Sequence, residues 1–209
     1  MQKQRRGGDP KALNQFVIVD NGQITGILLA AGRSTRFGSN KLVKKLQSGN
    51  SIGLESAETL SASVDNLIIV VNNLKDETST MFLEKGFRVL AAENANLGMG
   101  NSLKSGIKIS LDSLGWIVSL ADMPFIKLNT IDRLKEKILE GAKICAPFLA
   151  GVRGHPVGFN SSLKNELLNL DDSNGAAHLF VKYHSEIVAL STTDEGVVHD
   201  IDVPEDLNH

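Results

Sequence analysis

The segment Ile24-Thr25-Gly26-Ile27-Leu28-Leu29-Ala30-Ala31-Gly32-Arg33-Ser34-Thr35-Arg36-Phe37-Gly38-Ser39-Asn40-Lys41 decides how the rest of the chain is read. An apolar strand over 24–29 runs straight into a small-residue loop punctuated by Gly32 and Gly38. A strand that ends in such a turn exposes several backbone N–H groups at one end of a sheet, where they surround an anion. Arg33, Arg36 and Lys41 set mobile positive charge beside those fixed donors. The arrangement reads as a grip for a nucleoside triphosphate. The plain alternative is a strand–helix loop with surface cations, and it weakens because Arg36 and Lys41 flank Gly38 in a segment too polar for a core. The loop is not a Walker A sequence: Gly32 and Gly38 stand too far apart, and Ser39-Asn40-Lys41 replaces the Gly-Lys-Ser/Thr ending. Nor does a Gly-x-Gly-x-x-Gly follow the strand.

Outward from this segment, apolar strands alternate with amphipathic helical stretches, which favours an α/β sandwich. Further strands are expected at Leu67–Val71, Phe87–Leu90, Trp116–Leu120, Ile144–Ala146, His155–Phe159, Ile187–Leu190 and Val198–Asp202. Helices are expected at 51–63, 76–85, 101–112, 130–140, 161–169 and 174–183. The clearest is 130–140, where Asn129 is placed to cap, Ile131, Leu134 and Ile138 share a face, and Gly141 ends the run. Residues 1–22 read as a basic leader, flexible or adding Phe16–Val19 as an edge strand, and 23–209 as a single domain. With 209 residues and 42% hydrophobic content the chain is long enough to bury a full core. A net charge of −2 gives no support for a nucleic-acid surface. No apolar run approaches the roughly 20 residues a membrane span needs. Arg5-Arg6 leads into Gly-Gly-Asp-Pro, not an export segment, so a cytoplasmic protein is expected. The single cysteine, Cys145, sits in an apolar run and reads as a core residue.

Four more segments carry chemistry. Asp122, in Leu120-Ala121-Asp122-Met123-Pro124, follows an apolar strand and is placed to hold a divalent cation against phosphates, or else to cap a turn. In Val198-His199-Asp200-Ile201-Asp202, period-two alternation puts Asp200 and Asp202 on one strand face, where two like charges need a cation or solvent. Asp122 and Asp202 are therefore a candidate pair for one metal. Gly98-Met99-Gly100-Asn101-Ser102 is a second glycine turn that opens a helix, permitting close backbone approach to a ligand or simply entering a helix capped by Asn101 or Ser102. Gly151-Val152-Arg153-Gly154-His155-Pro156 sets Arg153 and His155 in a constrained loop that suits an anion, and Asn174-Gly175 is a weaker helix-start signal.

In this order the segments resemble the nucleotidylyltransferases of molybdenum cofactor maturation, the MobA-like NTP transferases, and most closely their cytidylyltransferase branch. The residues that carry the resemblance are Leu29-Ala30-Ala31-Gly32, Arg36-Phe37-Gly38, Lys41, Gly98-Met99-Gly100 with Ser102, Asp122-Met123-Pro124, Arg153–Phe159 and Asp200–Asp206. The resemblance implies a Rossmann-like three-layer α/β/α fold with a mostly parallel, mixed sheet and a Mg²⁺-dependent reaction. It implies nucleotide contacts at Leu29, Ala30, Ala31, Gly32, Arg33, Arg36, Lys41, Gly98, Gly100 and Ser102, with Arg36, Lys41 and Asp122 catalytic. Metal ligation falls to Asp122 and Asp202, with Asp200 as the alternative, and acceptor binding to Arg153, His155, Asn174 and Gly175. The guanylyl branch usually carries Leu-Ala-Gly-Gly in the first loop, so Ala31 tilts the expectation towards CTP. The expected acceptor is a molybdopterin-type cofactor or another small phosphate such as a sugar phosphate, with a molybdenum hydroxylase downstream. A non-catalytic accessory role in maturing such a hydroxylase is the alternative from another class. The chain departs from the family at 172–177, where Asp-Ser-Asn-Gly-Ala-Ala lacks the usual closing arginine.

Overall fold

The aliphatic run at 24–29 becomes the central strand of the computed structural model, which describes residues 23–32, 37, 40–92, 98–171 and 175–208. In chain order the elements are β1 (Ile24–Leu29), α1 (Ile52–Ser63), β2 (Asn66–Val71), α2 (Glu77–Glu84), β3 (Val89–Ala91), α3 (Met99–Lys108) and β4 (Gly115–Leu120). They continue with α4 (Leu128–Leu139), β5 (Ile144–Leu149), β6 (Val152–Arg153), β7 (Val157–Asn160), α5 (Lys164–Leu168), α6 (Ala177–Lys182) and β8 (Ile187–Ser191). All eight strands join one sheet in the order β3-β2-β1-β4-β7-β5, with β6 and β8 both on β5. The β1–β2, β1–β4, β2–β3 and β5–β8 pairs are parallel, and only β6 and β7 run against their neighbours.

Alternation along the strands builds a core on each face of the sheet. Ile24, Leu28 and Ile117 pack with Ala57 and Leu60 of α1 and Ile131, Leu134 and Ile138 of α4. Ile27, Trp116 and Val118 pack with Leu103 and Ile107 of α3, Leu167 of α5 and Leu179 of α6. The result is the expected three-layer, mostly parallel α/β/α sandwich. Cys145 is a fully buried core residue, as its surroundings in sequence imply. Burial pushes its thiol up to about 12, which keeps it protonated at neutral pH.

The second half departs from simple periodicity. Ile144 faces Phe159 while Phe148 faces Arg153, so the returning strand carries two extra residues, taken up at Gly154-His155-Pro156 between β6 and β7. The strand expected from His155 therefore begins at Val157. The strand expected at Val198–Asp202 does not form. A 3-10 turn occupies Glu195–Val198, and the backbone beyond it crosses the end of the sheet. The segment pairs with neither edge strand, β3 or β8, because Ile201 is tied to Asp122 beyond the end of β4. The crossing segment instead makes single bonds, with Val197 O accepting from His155 N and Ile201 N donating to Asp122 O. The Phe16–Val19 strand expectation lies outside the described residues.

Two helix starts also differ from expectation. Asn129 lies inside α4, whose N-cap is Lys127 with no side-chain cap of its own. The cap comes from across the fold: buried Asp194 accepts from Lys127 N and from the Thr130 hydroxyl, and its other oxygen accepts from Gly196 N. Helix α3 starts at Met99 behind Gly98, so Asn101 and Ser102 sit inside it and do not cap it. Gly98 has φ 142°, a left-handed conformation that a side chain would strain.

Asp194 thus ties the start of α4 to the segment that leads to Asp200 and Asp202. Replacing it by alanine strands three donors, two of them backbone amides. Asp194→Ala is expected to lose at least ~2 kcal/mol of unfolding free energy, read by urea denaturation. A variant as stable as the parent would show that this carboxylate does not hold the two segments together.

Candidate active site

Register puts the first loop beside Asp122. Leu29 pairs with Leu120, Ala121 N donates to Leu29 O at 3.0 Å, and Ala30 N donates to Val70 O at 2.8 Å. Both the loop that opens at Ala30 and the turn that carries Asp122 therefore leave the sheet at the carboxyl ends of β1 and β4. This is where open α/β sheets bind ligands. Leu29 and Ala31 are half-buried, Ala30 is buried, and Gly32 is exposed. The Asn72 amide donates to Ala31 O at 2.8 Å, fixing the start of the loop. Arg33 and Arg36 lie outside the described residues.

The C-terminal segment closes on the same place. Ile201 is fully buried, and its N–H bonds Asp122 O at 2.9 Å. Asp200 and Asp202 flank it, and one oxygen from each of Asp122, Asp200 and Asp202 lies within 4.8 Å of the others. Asp206 fixes the exit by accepting from Asp202 N and Val203 N through one oxygen. Both carboxylates meet Asp122, although no strand carries them.

Lys41 is the cation of this cluster. Its ammonium lies 2.8 Å from Asp122 Oδ2 and 3.1 Å from Asp202 Oδ1, and it donates to Ile201 O at 2.6 Å. Three acceptors match its three protons. Burial pulls its pKa down, but the bonds to Asp122 and Asp202 outweigh that and hold it above the ordinary lysine value. The sequence places Lys41 on phosphate; in the structure it faces carboxylates.

The other wall is built by α3, α6 and the β6–β7 bend. Helix α3 follows β3, so it starts at the carboxyl end of the sheet, with Gly100 and Ser102 buried in its first turns. Gly175 lies against that start: a Cβ there would stand 3.7 Å from Met99 Cβ and 4.0 Å from Gly100 N. Asn174 lies outside the described residues. Arg153 does not line the cluster directly; its guanidinium stacks 3.7 Å from the centre of the Phe180 ring. His155 is held by its N–H on Val197 O at 2.8 Å. The approach is so close that a Cβ on Gly154 would fall 2.3 Å from the same oxygen. His155 Nδ1 is buried and has no hydrogen-bond partner among the described residues.

Comparison with known proteins places the chain in a family. Residues 26–187 match the MobA-like NTP transferase domain. The chain belongs to that family. It is a nucleotidyltransferase, and the resemblance read from its motifs holds at this level. Purine catabolism protein PucB of Bacillus subtilis strain 168 is 29% identical over 196 residues, 88% of this chain and 93% of that protein. Nicotine blue oxidoreductase of Paenarthrobacter nicotinovorans is 24% identical over 88% of this chain and 94% of that protein. The same fold appears in Rv0371c of Mycobacterium tuberculosis H37Rv, solved as a complex with manganese, at a TM-score of 0.70 and 22% identity over 88% of this chain and 95% of that one. The family match ends before Asp200 and Asp202, so it is geometry that joins them to Asp122 in this MobA-like transferase.

Several contributors had no sequence signal. The Ile201 and Val197 carbonyls, the Phe180 ring and the Asp194 cap are ordinary residues until the fold brings them together. Only the Thr192-Thr193-Asp194-Glu195-Gly196 turn pattern hinted at a structural aspartate.

Burial pushes the His155 imidazole below its ordinary value of 6.5, the Arg153 charge adds to that, and Asp122 and Asp200 oppose it. The unfolded chain therefore binds this proton at a higher pH than the folded one. The stability that His155 contributes is present above pH 6.5 and is lost as pH falls through the folded value. In an NMR titration the His155 ring is expected to have a midpoint below 6.5, and His155→Asn to flatten the pH dependence of Tm below that point. A midpoint at or above 6.5 would overturn this account.

Proposed function

We propose that the protein transfers CMP from CTP to the terminal phosphate of a molybdopterin-type cofactor, with Mg²⁺, and releases pyrophosphate. The observation that carries this reading is the meeting of Asp122, Asp200, Asp202 and Lys41 at the carboxyl ends of β1 and β4. Three carboxylates offering oxygens within 4.8 Å of one another are the hard donor set that Mg²⁺ and Mn²⁺ take. The manganese complex of Rv0371c supports a divalent cation on this fold. Asp122 and Asp202 would hold the ion, with Asp200 beside them. Bound there, it neutralises charge on the phosphates that surround the reacting phosphorus.

The chain's own groups account for the rest. Backbone N–H groups of the loop opening at Ala30, with Arg33 and Arg36, bind the triphosphate, and Gly98, Gly100 and Ser102 at the start of α3 line the nucleotide side. Gly175, packed on that start, and His155 face the acceptor, with Arg153 supplying positive charge behind them. An oxygen of the acceptor phosphate bonds the α-phosphorus of CTP, and the bond from that phosphorus to the bridging oxygen breaks, so that pyrophosphate takes the electron pair. A phosphate monoester has a second pKa near ~6, so it arrives at neutral pH largely as the dianion. No side chain has to remove a proton, and His155, neutral at that pH, is free to orient the acceptor. Ala31, where the guanylyl branch carries glycine, supports CTP. The names of the curated relatives, in purine catabolism and in nicotine blue oxidation, fit service to oxidising enzymes of heterocycles. On this reading the protein acts in the cytoplasm and its product serves a molybdenum hydroxylase.

Pyrophosphate release from each NTP, with Mg²⁺ and with molybdopterin-type or sugar-phosphate acceptors, tests the reading. Release is expected with CTP and the molybdopterin-type acceptor, and Asp122→Asn is expected to lower it by ~100-fold or more. Near-parental turnover in that variant would remove the metal assignment, and no release with any pair would remove the proposed reaction.

A further inference from the structure

Lys41 occupies the position that a metal-assisted transferase needs for its ion. The ammonium touches Asp122 and Asp202, the two carboxylates assigned to the metal, and spends its third proton on Ile201 O. Its side chain is only 8% exposed, so solvent does not screen it from either partner. A divalent cation at this cluster and this ammonium would draw on the same two carboxylates. A triphosphate changes the balance, because it brings more negative charge than one divalent ion neutralises. The backbone of Lys41 is fixed by the 3-10 turn Lys41–Val43 and by buried Leu42 beside it. Four methylene groups nevertheless leave the ammonium free to swing.

Resting on the metal assignment above, we propose that Lys41 is an exchangeable counter-ion. It neutralises Asp122 and Asp202 until nucleotide arrives, then passes to the phosphates as the metal takes its place. The site therefore takes the metal–nucleotide complex as its ligand and binds free divalent cation weakly. The exchange couples the two ligands reciprocally, since whatever draws the ammonium onto phosphate frees the carboxylates for the ion. It also gives Lys41 two effects of opposite sign: it opposes free metal and favours nucleotide.

Mn²⁺ binding followed by electron paramagnetic resonance at pH 7.5, with and without a non-hydrolysable CTP analogue, reads both effects. Lys41→Met and Lys41→Gln are expected to bind free Mn²⁺ roughly tenfold tighter than the parent, within the usual range of coupling between sites. The same variants are expected to bind the CTP analogue more weakly and to lose most of the tightening of Mn²⁺ that nucleotide gives the parent. Lys41→Arg keeps a cation at the position and is expected to stay weak for free Mn²⁺. Circular dichroism melts establish that each variant is folded, and the glutamine variant keeps a donor towards Ile201 O if the methionine one is not. Free Mn²⁺ affinity that is unchanged or weaker in both neutral variants overturns the exchange. Asp202→Asn in each background separates the two readings: if it weakens Mn²⁺ binding while Lys41 has no effect, the metal assignment stands without the exchange. If Asp202→Asn leaves Mn²⁺ binding untouched, the metal assignment itself fails.

Discussion

Ile201 spends both of its backbone polar groups inside the site, its N–H on the Asp122 carbonyl and its carbonyl on the Lys41 ammonium, while its side chain is fully buried. A buried apolar side chain and two satisfied backbone groups fix the position and the direction of this one residue. Asp200 and Asp202, its neighbours on each side, are thereby forced towards Asp122. Three carboxylates that close repel one another, and the Lys41 ammonium offsets that repulsion at two of them. Strand β4, the first loop and the C-terminal segment meet at this residue, and none of them specifies the site alone.

The cluster does little to hold the fold. Taking an ammonium and two carboxylates out of water costs about as much as their attraction returns, so buried ion groups are weak grounds for stability. The sandwich is held by the apolar faces of α1 and α4 on one side and of α3, α5 and α6 on the other. Asp194 adds a second, purely structural polar knot, with every donor around its carboxylate matched. The two aspartate sites differ in kind. Asp194 has both oxygens engaged by amides and a hydroxyl, whereas two carboxylates of the Asp122 cluster share one flexible cation.

How much the sequence revealed follows from how local each interaction is. Strand β1 was legible to the residue because an uninterrupted aliphatic run has one stable fate beside other strands. The buried face of α4 was legible from Ile131, Leu134 and Ile138, but its cap was not, because the capping carboxylate is 67 residues away from the amide it accepts. The strand expected from alternation at 198–202 does not form, since the pattern reports which side chains turn inward and says nothing about whether a partner strand lies alongside. Asp200 and Asp202 still sit on either side of inward Ile201, without a ladder. Lys41 is a different case. Its segment in sequence reads as a phosphate contact, while its carboxylate partners, one of them 161 residues away, come from elements that the loop's sequence does not announce.

On the function proposed above, that long-range contact would make the glycine loop and the acidic cluster act as one device. A loop of backbone donors binds any phosphate, and three converging carboxylates repel any phosphate, so placed side by side they oppose each other. Lys41 reconciles them because its backbone belongs to the segment that continues the loop and its ammonium belongs to the acids. Positive charge shared between two neighbouring sites of opposite preference makes each site's occupancy depend on the other. The proposed reaction calls for that dependence, because the charge that offsets the leaving phosphates is needed only when they are present. On this proposal one lysine would supply it, with the buried isoleucine whose carbonyl accepts its third hydrogen bond.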